Sequence, residues 1–235
     1  MVFGVISEGP TDQAVIENVI CGVLNNEDLC EDIQSLQPVR DGDAWDYGGW
    51  EKVIKYLSGE DFRDSFNFID YVIVQIDTDV CHLAGFDVSL IDDDGKNIDL
   101  ELILYRVKER LIKAVNFGEA GFYSSHEDRI IFCITLHSTE IWLAKHHSKL
   151  NSYDEKRVGN GMHLLVQEVK RNVKNGHVYL TKESGSDVAI KTYDNYEELS
   201  HDFYNKKTRV QSVKKLKGCD ISFRLFSTYL EEIEI

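Results

Sequence analysis

The 235-residue chain is expected to fold as an α/β protein, with a mainly parallel central sheet flanked by helices and a C-terminal extension. Three observations lead there. Apolar runs and amphipathic stretches alternate along the chain. The runs are continuously apolar rather than alternating, as in strands buried on both faces. Acidic residues stand where several of these strands would leave the sheet.

The first strand spans Val2 to Ser7 and ends in Glu8-Gly9-Pro10-Thr11-Asp12. Gly9 and Pro10 make a tight turn, Thr11 is the expected N-cap, and Asp12 stands at the positive end of the new helix. Ala14, Val15, Val19, Ile20, Val23 and Leu24 follow helical spacing to about Asn25. Ile33 to Val39 reads as a short strand, Arg40 to Gly49 as a loop rich in Gly, Asp and Trp, and Gly49 to Leu57 as a helix. Tyr71-Val72-Ile73-Val74-Gln75-Ile76-Asp77-Thr78-Asp79 is a buried strand that ends in two carboxylates one residue apart. Val80 to Asn97 lacks periodicity and reads as a loop or flap over that strand end, with Asp92-Asp93-Asp94-Gly95 as a solvated turn. Ile98 to Val115 is an amphipathic helix. Arg129 to Leu136 is another buried strand, followed by His137-Ser138-Thr139-Glu140 and a helix start at Ile141, with Ser138 or Thr139 as its cap.

Asn151 to Gly161 is a polar break. It divides a core over 1–150 from an extension over 151–235 that is expected to pack on it. In the extension, Met162 to Lys174 reads as a helix, Val178 to Leu180 as a short strand, Thr181 to Asp194 as a polar stretch, and Tyr196–Tyr204 and Ile221–Glu232 as helices. The last five residues are an acidic tail. Charge divides at the same point. Residues 1–150 hold 12 Lys+Arg against 28 Asp+Glu, a net of −16, and 151–235 a net of +1 within a total of −15. Lys206, Lys207, Arg209, Lys214, Lys215 and Lys217 form a run without one acid.

No stretch approaches 18 apolar residues, so no membrane span is expected, and the N-terminus reads as a strand rather than a leader. The five cysteines are odd in number and form no C-x-x-C pair. Reduced thiols in a cytoplasmic protein are the expectation, with no cysteine-based zinc site.

Parallel strands bring their carboxyl ends to one edge, where α/β proteins gather their chemistry. Glu8, Asp77, Asp79 and Glu140 should converge there, with Asp12 beside them. Such a cluster repels itself unless a cation neutralises it, and oxygen ligands suit Mg²⁺ or Mn²⁺.

Glu8-Gly9-Pro10-Thr11-Asp12 and Asp77-Thr78-Asp79 resemble the E-G-x-x-D and D-x-D elements of the Toprim (topoisomerase–primase) fold. Ser138-Thr139-Glu140-Ile141-Trp142-Leu143 resembles the S-x-E element of Toprim nucleases of the OLD type, and the chain is similar to small Toprim-like proteins encoded beside an ATPase in prokaryotic antiviral defence loci. The resemblance covers about residues 1–150. It implies a Mg²⁺- or Mn²⁺-dependent nuclease cutting DNA or RNA, with a partner ATPase subunit. It also implies a downstream lysine, for which Lys145, Lys149 and Lys182 are candidates. Lys182 is favoured because it follows the Val178–Leu180 strand. Glu8, Asp77 and Asp79 would hold one metal, Asp12 and Glu140 would help hold a second, and the basic run would contact nucleic acid. An inactive Toprim-like scaffold and a small-molecule phosphatase or phosphotransferase are the alternatives, and a homo-oligomer stays open.

Overall fold

The computed structural model describes residues 1–42, 44–46, 48–149 and 159–233. Most of the polar break and the end of the acidic tail lie outside the described residues. The chain is an α/β protein built on a four-stranded, all-parallel sheet flanked by helices. The strands are β1 (Phe3–Ile6), β2 (Ile33–Gln37), β5 (Tyr71–Asp77) and β6 (Ile130–Thr135), in the order β2-β1-β5-β6.

Side chains alternate across a strand, so each strand feeds two cores. Phe3, Val5, Ile73, Ile131 and Cys133 face one core, together with α1 (Pro10–Val23) and the later helices α6 (Thr139–His147), α7 (Gly161–Asn172), α8 (Tyr193–Tyr204), α9 (Arg209–Lys217) and α10 (Ile221–Glu231). Ile6, Val72, Val74, Ile76, Ile130, Phe132 and Ile134 face the other, with α2 (Trp50–Leu57), α3 (Glu60–Ser65), α4 (Leu100–Gly118) and α5 (Phe122–His126). The apolar character of β1, β5 and β6 is the consequence of this double burial, whereas β2, at the sheet edge, is mixed and partly exposed. Trp142, Tyr196, Phe203 and Phe223 are fully buried in the first core, so the C-terminal helices share it with α1 and the sheet.

The local differences from sequence expectation have plain causes. Gly9, not Thr11, precedes α1 as its N-cap, because Pro10 takes the first helical position, where a missing N–H costs nothing. The Arg40–Gly49 loop contains a small hairpin, β3 (Arg40–Asp41) with β4 (Ala44–Trp45). The extension contains an antiparallel hairpin, β7 (Leu180–Glu183) with β8 (Ser186–Ala189), where a strand and a polar stretch were expected. Cys21 and Cys30 are paired as a disulfide rather than free, because the short helical turn after α1 folds back on it. Cys81, Cys133 and Cys219 are free and buried. No helix among the described residues is long and apolar enough to cross a membrane.

Candidate metal centre

The carboxyl edge of the sheet carries a cleft of about 430 Å³ lined by Glu8, Asp12, Asp77, Asp79, Glu140 and Lys191, with Trp50 at its side. All five acids singled out in the sequence therefore meet in one place. Glu8 follows β1, Asp77 ends β5, Asp79 lies two residues beyond, Asp12 is in the first turn of α1, and Glu140 is in the first turn of α6.

Each carboxylate is positioned by a neighbour. The Asp77 N–H donates to Glu8 Oε1 at 2.7 Å. Gln75 Nε2 donates to Asp77 Oδ1 at 2.8 Å, and the Thr135 hydroxyl donates to the same oxygen from the register position opposite on β6. Gln75 also accepts from the Glu8 N–H at 3.1 Å, so a fully buried glutamine ties two strand tips together. The Thr139 hydroxyl donates to Asp12 Oδ1 at 2.6 Å. Tyr196 donates to Glu140 Oε1 at 2.8 Å, and Lys191 Nζ lies 3.3 Å from that oxygen. The Gly49 N–H donates to the Glu8 carbonyl at 2.6 Å, and a Cβ on Gly48 would stand 2.0 Å from that carbonyl oxygen. Glycine at 48 is thus a steric requirement of the strap that covers Glu8.

The electrostatics show a shortage of positive charge. Burial, with the charges of Asp12 and Asp79, pushes Glu8 up to about 8 against the pull of the Asp77 N–H. Burial and Glu140 push Asp12 up to about 7, and burial with Asp12, Glu8 and Glu140 holds Asp77 well above the carboxylate range. Glu140 goes the other way. Burial raises it, but Lys191 and the hydroxyls of Ser138 and Tyr196 outweigh burial and keep it below its usual value. Lys191 is raised in turn. Burial lowers it, and the Glu140 charge overcomes that.

Lys191 was not among the sequence candidates. It precedes Thr192, the N-cap of α8, and so stands at an element junction as the acids do. Lys182 is corrected: it lies exposed on β7, paired in register with Asp187, away from the cleft. The strand expected at Val178–Leu180 is instead a 3-10 turn over Gly176–Tyr179, and Lys182 stands inside β7 of a hairpin separate from the parallel sheet and does not line the cleft. Lys145 is fully buried against Asp220 at 2.7 Å, and Lys149 is exposed and outside the cleft.

The basic run is not a free cationic face. Arg209 is 3% exposed and pairs with Glu27 at 2.6 Å. Lys206 pairs with Glu27 at 3.3 Å, Lys217 pairs with Glu231 at 2.8 Å, and Lys215 donates to the carbonyls of His146 and Ser148. Among the described residues only Lys207 and Lys214 of the six lack an internal partner. The partners Glu27 and Glu231 lie outside the run, which hid them from a reading of local charge. His137 turns its Nε2 to the Asn160 N–H and does not line the cleft. His146 faces Asp202, and His147 faces the Leu199 carbonyl.

No family model, curated protein or solved structure matches the chain.

The donor set fits a hard divalent cation: carboxylate oxygens, three of them raised by burial and by one another's charge. Among the described residues no three such groups close into a ready-made cage. Mg²⁺ does not require one, because it keeps several waters and takes one or two carboxylates.

Proposed function

We propose that the chain is a Mg²⁺- or Mn²⁺-dependent nuclease of the Toprim type, hydrolysing phosphodiester bonds in DNA or RNA. The observation that supports this most is the meeting of five carboxylates and one lysine in a single cleft at the carboxyl edge of a parallel sheet. Glu8, Asp77 and Asp79 would hold the catalytic cation, and Asp12 and Glu140 would help hold a second. A bound cation supplies an acidified water and polarises the phosphate. The chain's own groups do the rest. Gln75 and Thr135 fix the orientation of Asp77. Lys191, with a side chain 62% exposed, can leave Glu140 and turn its ammonium to the negative charge that builds on the phosphate.

The test is cleavage of plasmid, single-stranded DNA and RNA in Mg²⁺ and Mn²⁺. Glu8→Ala and Asp77→Ala are each expected to abolish it. Full activity in either variant overturns the assignment. Lys191→Ala is expected to lower kcat by roughly 10²- to 10³-fold, the usual cost of removing one charge-stabilising donor.

The internal engagement of the basic run favours a second reading of the substrate contact. With four of the six residues of that run engaged internally, the chain would borrow phosphate-binding surface from a partner subunit, such as the ATPase the resemblance implies. A small phosphorylated molecule needs no such surface. Hydrolysis of a simple phosphomonoester without cleavage of any polynucleotide would favour that substrate.

A further inference from the structure

Beside the acid cleft lies a cluster the proposed reaction does not use. Arg40 and Trp45 are cross-strand partners in the two-residue strands of the β3–β4 hairpin. Tyr193 opens α8, two residues past Lys191. The Trp45 and Tyr193 rings stack at 5.5 Å with planes 25° apart. The Arg40 guanidinium lies 4.7 Å from the Tyr193 ring centre and 5.4 Å from that of Trp45. Arg40 is exposed and both rings are half-buried, so this aromatic–guanidinium stack, the Arg40–Trp45–Tyr193 shelf, stands at the protein boundary. It borders a cavity of about 570 Å³ lined by Glu17, Ser35, Arg40, Tyr193, Glu197 and Tyr204. The Tyr193 hydroxyl donates to Glu17, which fixes the ring.

We infer that the Arg40–Trp45–Tyr193 shelf and its cavity form a nucleobase-stacking subsite for single-stranded nucleic acid, beside the proposed scissile-phosphate site. The inference rests on the nuclease reading for its substrate class. Three features of the structure support it. First, two elements connect the places: α1 carries Asp12 at the cleft and Glu17 at the cavity, and Lys191 at the cleft lies two residues before Tyr193 at the cavity. Second, a chain of net charge −15 with its basic run engaged internally needs affinity for a polyanion that is not Coulombic, and stacking provides it for any base. Third, the cavity walls carry the carboxylates Glu17 and Glu197, which repel a phosphate but accept from amino and imino N–H groups of a base edge. Paired bases inside a duplex cannot reach the shelf, so the preferred substrate is unpaired.

The experiment compares a short fluorescein-labelled oligothymidylate with its abasic counterpart, using the full chain. Anisotropy in Ca²⁺ reads binding, and cleavage in Mg²⁺ is followed in parallel. The base-bearing strand is expected to bind more tightly, by about 5- to 150-fold for one stacked base. Trp45→Ala should erase that difference and leave abasic binding unchanged, while Trp45→Phe keeps most of it. Equal binding of the two strands, absence of binding by either, or an equal loss for both in Trp45→Ala overturns the subsite. Cleavage without base dependence leaves the nuclease reading intact and removes this inference. Base-dependent binding without cleavage does the reverse.

Discussion

Two regions of the molecule bury charge, and they do it in opposite ways. Between α6 and α10, Lys145 and Asp220 are both fully buried, 2.7 Å apart. The Trp142 Nε1–H and the Ser222 hydroxyl donate to Asp220, and Asp220 also accepts from the Phe223 N–H as the N-cap of α10. Charges cancel and the aspartate is well supplied with donors, so this group is structural. At the carboxyl edge of the sheet, five acids share one lysine, and Glu8, Asp12 and Asp77 are all held above the carboxylate range. One buried carboxylate is fully neutralised, whereas in the cleft only Glu140 has a close cationic partner, and that contrast is what the proposed cation site rests on.

The sharpest way to break the contrast is to remove one partner from each region. Lys145→Ala leaves Asp220 buried and unpaired, and urea denaturation should show a loss of about 3–5 kcal/mol. Asp12→Asn should do the opposite in the absence of divalent cations. It removes a repelling charge and is expected to raise the Tm, at the expense of metal affinity. If Asp12→Asn destabilises as strongly as Lys145→Ala, the cleft is a structural network like the other.

A pH series sharpens the same point. Glu8 and Asp12 have folded pKa values of about 8 and 7, raised from 4.5 and 3.8. Raised carboxyls bind more protons folded than unfolded, so their contribution is fully present below the unfolded values and is lost as pH rises through the folded ones. Without added cation, stability should therefore fall between about pH 4 and pH 8. Saturating Mg²⁺ should flatten that decline by stabilising the ionised form. A smaller effect is expected in the basic run. Reversing Lys207 or Lys214 should change stability by no more than about 0.5 kcal/mol, whereas Arg209→Ala, which strips Glu27 of its buried partner, should cost clearly more in the same denaturation assay.

How much of this was legible in the sequence depends on where each signal lies. The strands were, because burial on two faces writes itself as a run that is apolar but for Gln75 in Tyr71–Ile76 and apolar throughout in Ile130–Ile134. Their acid tips were too, because parallel topology sends them to one edge. Gln75 and Thr135 were not, since a polar residue inside such a run looks like ordinary variation until its cross-strand partner is known. Lys191 was missed because it enters from the turn between a separate hairpin and α8, so rules about strand ends in the main sheet do not reach it. The basic run looked free because its partners Glu27 and Glu231 are brought to it only by tertiary packing. The Arg40–Trp45–Tyr193 shelf joins residues about 150 positions apart, and nothing local in the sequence signals it.

The most direct measurement is a calorimetric titration with Mn²⁺ in buffers of different ionisation enthalpy. Binding should displace protons from Glu8, Asp12 and Asp77, so proton release is expected at about pH 6 and should fade towards about pH 9. Saturable binding with that pattern, lost in Asp77→Asn, is the predicted result. No saturable binding, or binding that neither releases protons nor depends on Asp77, would contradict the assignment of this cleft as a metal centre.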